Sequence, residues 1–134
     1  MRYDVHYIGK INKEILGEYK KKIITDRVII TNERIEHTKK RHLDDYEKYI
    51  KYIPNVLYNP DYILEDKDNN NTILMLKNIE EQKKKIQVVV KLQTNLKEKE
   101  KSNSILTFWH IRDRGYRSTI KNNKMIYKKL DREE

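Results

Sequence analysis

Five side chains carry most of the chemistry this sequence offers. His37, Arg41 and His42 stand within six residues of one another, Lys91 follows the run Val88-Val89-Val90, and Thr107 lies inside the apolar stretch Ile105–Ile111. Imidazole is the side chain suited to exchanging protons near neutrality. Lysine and arginine neutralise phosphate oxygens, arginine as a bidentate clamp. A threonine hydroxyl can donate to the same oxygens. Together these groups suit proton transfer beside an anionic centre. Other chemistries find little support. The chain has no cysteine, no His-x-x-x-His pattern and no convincing pair of converging carboxylates. Its three glycines, Gly9, Gly17 and Gly115, are too few and scattered for a phosphate-cradling loop. No metal and no cofactor is expected.

The elements that must position these groups can be read from periodicity. Thr31 and Asn32 offer N-cap oxygens to a helix running to about His42, with Ile35, Thr38 and His42 on one face. Leu43–Ile53 reads as a second helix, with Asp44 or Asp45 in its first turn and Pro54 ending it. Asn12–Lys22 reads as a short helix or a second strand. Short strands are expected near Arg2–Ile11, Arg27–Ile30, Tyr62–Glu65, Thr72–Leu76 and Met125–Tyr127. The two strongest strands are Ile86–Leu92 and Ile105–Ile111. On the first of these, Val88, Val90 and Leu92 alternate to one face, and Gln87, Val89 and Lys91 to the other. On the second, Ile105, Thr107, Trp109 and Ile111 share a face, opposite Leu106, Phe108 and His110. Asn95–Asn103 reads as a charged loop, Arg112–Asn122 as basic and turn-like or helical, and Asp131–Glu134 as a frayed tail. Helices first, then strands, gives an α+β class: N-terminal helices on an antiparallel sheet of four or more strands.

Each candidate has a plainer reading beside the chemical one. His42 could be a core histidine tying two helices together, and His37 with Arg41 a solvated basic face. Lys91 could snorkel at a sheet edge. The lone Trp109 could be core rather than a stacking platform for a base. The basic run Arg112, Arg114, Arg117 and Lys121, with Tyr116 interleaved, is either a set of backbone contacts for nucleic acid or a solvated loop.

Composition favours the first reading of that run. Among 134 residues, Lys and Arg number 30 against 21 Asp and Glu, a formal net charge of +9. A field of that sign draws polyanions and speeds their encounter, so nucleic acid is the first partner expected. An acidic protein partner is the next, and a low-GC coding bias toward lysine is the neutral alternative. Hydrophobic residues make up 37% and charged residues 38%, so the core is modest. No apolar run is long enough for a membrane span, and Met1–Gly9 is polar and alternating, unlike a signal peptide. A cytoplasmic protein without a membrane partner is expected.

Three blocks carry a family likeness. The first is Arg27-Val28-Ile29-Ile30-Thr31-Asn32-Glu33-Arg34-Ile35-Glu36-His37, continuing through Lys40-Arg41-His42 to Asp45-Tyr46. The second is Val88-Val89-Val90-Lys91-Leu92. The third is Asn103-Ser104-Ile105-Leu106-Thr107-Phe108-Trp109, with the basic segment up to Lys128. In order and spacing they resemble the phage nuclease domains of the barnase–EndoU–colicin–RelE (BECR) class. The likeness covers residues 27–128, with 1–26 an extension or strand pair of the same domain and 129–134 a tail.

The resemblance implies a phage-encoded or toxin-like effector acting on RNA, tRNA and mRNA included, without a metal. Such cleavage uses the ribose 2′-OH as nucleophile and leaves a cyclic phosphate. Within that scheme His42, with His37, moves protons. Lys91 and Arg41 stabilise the charged transition state, and Thr107 orients the phosphate. Trp109, Arg112, Arg114, Tyr116, Arg117 and Lys121 hold the RNA. The alternative on the same scaffold is a catalytically silent RNA-binding or anti-defence inhibitor protein.

Overall fold

The computed structural model describes residues 5–98 and 101–130. The expected frayed tail at Asp131–Glu134 and the first residues of the Arg2–Ile11 strand lie outside them. Seven strands form one sheet: β1 (Val5–Lys10), β2 (Arg27–Thr31), β3 (Tyr62–Glu65), β4 (Thr72–Ile79), β5 (Lys84–Lys91), β6 (Asn103–Ile111) and β7 (Lys124–Lys128). Three α-helices join them: α1 (Asn32–Tyr49), α2 (Ile53–Tyr58) and α3 (Asp113–Asn122). The strand order is β1-β2-β6-β5-β4-β3-β7.

The class is α+β, but the helices are not N-terminal. Two strands precede α1, and β1 pairs antiparallel with β2 to form one flank of the sheet. The sheet is also not purely antiparallel, because β2 and β6 pair parallel through Val28–Asn103 and Ile29–Ser104. A parallel neighbour must be reached by a long crossover, and here that crossover is most of the chain. Asn103 makes the junction. Its buried amide donates to the carbonyls of Thr25 (2.9 Å) and Arg27 (3.0 Å), and its oxygen accepts the N–H of Gln93 at 2.8 Å. One side chain thus ties three segments together.

Alternation assigns the two faces. Ile63, Ile73, Met75, Val88, Val90, Ile105 and Phe108 point into the main core beneath α1 and α2, where Tyr49, Ile53, Val56 and Leu57 meet them, all essentially inaccessible. Burying one such side chain contributes about 1.5–3 kcal/mol. The other face has a smaller core of Leu64, Leu74 and Leu76, covered by Tyr116 and Ile120 of α3. Tyr19, from the 3-10 turns that replace the expected helix or strand at Asn12–Lys22, closes the main core and donates its hydroxyl to Glu65 at 2.6 Å.

Two local readings need correction and one alternative is decided. Pro54 does not end a helix; it sits in the first turn of α2, where a missing N–H costs nothing. Of the two readings of Arg112–Asn122, the helix holds, over Asp113–Asn122 with Arg112 at its N-cap. Ile105 does not share a face with Thr107. Val89 faces Thr107 while Val90 faces Ile105, so Leu106 is an extra residue that turns Ile105 into the main core.

Candidate active site

Beyond its first pairs β6 parts from β2, and α1 takes the vacant place along its edge. Thr31 caps this helix, its hydroxyl accepting the N–H of Arg34 at 3.2 Å. Asp45 then accepts the backbone N–H of His110 at 2.9 Å, so a helix carboxylate satisfies a donor on the strand edge. The helix straddles that edge. Tyr46 stacks on Phe108 in the main core, with centroids 5.5 Å apart. His42 stacks on Trp109, whose side chain points to the opposite face, with centroids 5.3 Å apart and planes at 17°.

The backbone breaks where this happens. His42 has φ −144° and ψ 58°, outside helical values, so α1 is two helical segments meeting at this histidine. The boundary expected between Asn32–His42 and Leu43–Ile53 is therefore present as a kink. His42 is half-buried, and its ring belongs to an aromatic pair beside the sheet rather than to the core between helices.

One turn before the kink, fully buried Thr38 donates its hydroxyl to that of Thr107 at 3.1 Å. The Thr107 proton remains available for another acceptor. Thr107 is half-buried and directly follows the bulge at Leu106, a device that re-aims neighbouring side chains. Lys91 lies on this same face, since Val89 opposes Thr107 and Lys91 opposes Ser104. Its side chain is exposed and has no ion pair or hydrogen bond among the described residues. Trp109 opposes Gln87, four residues from Lys91, which puts the two ends of this row about 13 Å apart along the strand.

His42, Trp109, Thr107 and Lys91 therefore share one face of β5 and β6, bordered by α1. Arg41 is exposed, three residues beyond Thr38. His37 is not brought into this group. It lines a shallow depression with Glu33, Glu36, Lys39 and Lys40 on α1 alone, with no strand as floor. Among the described residues, no group of three or more His, Asp or Glu side chains is placed to hold a metal ion.

The basic run divides. Arg112, Arg114, Arg117 and Lys121 are exposed on α3 or at its N-cap. Tyr116 faces inward, its ring edge against Tyr62 at 5.9 Å, and burial pushes its hydroxyl pKa far up. Its role is packing. Lys85 pairs with Asp113 at 3.0 Å, and that contact holds the Asp113 carboxyl below its usual range. His110 is the penultimate residue of β6. It is half-buried beside Tyr49, and burial, then Lys84, lowers its pKa.

The family described as phage-Barnase-EndoU-ColicinE5/D-RelE like nuclease2 matches residues 6–128. The chain belongs to that nuclease family. The match takes in most of β1 and everything from β2 to the last strand, so it spans β5, β6 and the bordering α1. It extends further toward the N-terminus than the likeness read over residues 27–128. No curated protein and no solved structure is significantly similar to the chain. Sequence reasoning missed Thr38, Asp45 and Asn103 as organisers of this site. Thr38 carried a signal in its place on the helix face with His42, and Asp45 in being a carboxylate at a helix start, whose actual partner is a strand edge.

No helix in the described residues is long and apolar enough to cross a membrane.

Proposed function

We propose that the protein is a metal-independent ribonuclease that cleaves by 2′-OH transesterification on the open face of β5 and β6. Family membership supports a nuclease. The observation that supports the finer reading is that an imidazole, a hydroxyl and an exposed ammonium lie along one sheet face.

In this scheme His42 takes the proton from the ribose 2′-OH. The freed oxygen attacks phosphorus, forming the 2′-oxygen–phosphorus bond and a pentavalent, more negative transition state. Thr107 donates to one phosphate oxygen, and Lys91 and Arg41 supply positive charge as it develops. The bond to the 5′-oxygen breaks, and the imidazolium returns its proton there. The products are a 2′,3′-cyclic phosphate and a 5′-hydroxyl. Exposed Arg112, Arg114, Arg117 and Lys121 guide the phosphate backbone toward this face.

The test is incubation of purified protein with RNA in EDTA, beside the Thr107→Val and Lys91→Ala variants. Cleavage by the native protein and its loss in the variants is the expected result. RNA binding without cleavage would instead favour the silent RNA-binding reading.

A further inference from the structure

Gln87 is an anomaly at the floor of this face. It is 6% exposed, and its Oε1 is buried without a hydrogen-bond partner. A buried amide left unpaired is destabilising, and a leucine there would avoid the cost. Its cross-strand neighbours are apolar, and on its own strand Lys85, the charged neighbour on this face, is already paired with Asp113 at 3.0 Å. Gln87 sits between Leu76 of β4 and Trp109 of β6, next to Val89, two residues away on its own strand. The half-buried Trp109, beside it, already stacks on His42.

We infer that Gln87 and the Trp109–His42 pair form a nucleobase subsite, in which an unpaired base meets the aromatic rings and reads the Gln87 amide. This rests on the ribonuclease reading for its geometry at the scissile nucleotide. A glutamine amide presents a donor and an acceptor side by side, the pattern that matches a base edge carrying both. Aromatic rings beside it hold the base by stacking, without sequence preference. Stacking therefore supplies affinity for any base, and the amide, whose oxygen is otherwise unpartnered, supplies choice among them. The same residue explains why this site keeps a polar group that folding does not need.

Trp109 is the only tryptophan, so its fluorescence reports on base stacking directly. The experiment titrates native protein, Gln87→Leu and Gln87→Glu with 2′-O-methyl oligonucleotides of each of the four bases. These lack the nucleophilic hydroxyl and bind without being cut. The native protein should show quenching and prefer one base by about five- to tenfold, the effect of one or two well-made hydrogen bonds. Gln87→Leu should bind all four within about twofold of one another, with an unchanged or higher Tm. Gln87→Glu, which can only accept while ionised, should shift preference toward bases that present an amino group. Equal binding of all four by the native protein, unchanged preference in Gln87→Leu, or no quenching would overturn the subsite. Failure of the native protein to cut unmodified RNA would reject the ribonuclease reading alone, since base preference is measured here without cleavage.

Discussion

Asp45 accepts the backbone N–H of His110 across the gap between a helix and a strand edge, and this contact pins the helix that borders the candidate face. It holds the second segment of α1 against β6, three residues beyond the kink at His42. Without it the edge N–H loses its partner and the helix its anchor. Asp45→Ala should therefore cost about 1–3 kcal/mol in chemical unfolding, and it should lower cleavage by more than its stability loss explains. Equal activity at a temperature where both proteins are folded would refute this positional role.

His110 adds a pH dependence. Its pKa is lowered in the folded protein by burial first and then by Lys84. The unfolded chain, with the ordinary value near 6.5, binds the proton more readily. Stability should thus be full above that value and fall as pH drops through it toward the folded value. His110→Phe should flatten this part of the stability–pH curve, measured by denaturant titration between about pH 7 and 5. An unchanged slope would contradict the assignment.

The hydroxyl pair separates structure from chemistry. Thr38→Val removes the donor to Thr107 while keeping the shape of a fully buried side chain, so the melting temperature should fall modestly, for about 1 kcal/mol. Thr107→Val should leave stability within a similar range but slow cleavage about 10²-fold or more, as loss of a transition-state donor does. A Thr107→Val enzyme at native rate would remove this residue from the mechanism.

Lys91 makes the opposite contrast to a core residue. It is exposed and unpaired, so Lys91→Ala should leave Tm unchanged. Cleavage should still fall about 10²-fold, with the loss mainly in kcat if the ammonium acts on the transition state. A change in KM alone would make Lys91 a binding residue only.

How much of this was legible in the sequence differs by the range of the interaction. The β5 and β6 strands, the Thr31 cap and the helix break at His42 follow from local patterns: β-branched runs, a side-chain oxygen before an apolar-periodic segment, and a change of phase. The face that Lys91 and Gln87 share also follows from alternation. What was not legible depends on distant partners. The parallel pairing of β2 with β6 rests on Asn103 meeting carbonyls more than seventy residues earlier, and nothing near Asn103 announces this. One extra residue at Leu106 was enough to reverse the expected direction of Ile105. Tyr116 looked like an RNA contact because it lies among cations, yet its ring completes the second core. His37 and His42 looked paired by closeness in sequence, yet only His42 reaches the sheet.

The most direct measurement is product analysis of a short, 5′-labelled RNA incubated with the protein in EDTA, with the same sequence made as DNA alongside. The expected result is RNA cut to a 2′,3′-cyclic phosphate, DNA left intact, and a loss of about 10²–10⁴-fold on His42→Ala. Cleavage that requires an added divalent metal, that proceeds equally on DNA, or that survives His42→Ala at native rate would contradict it.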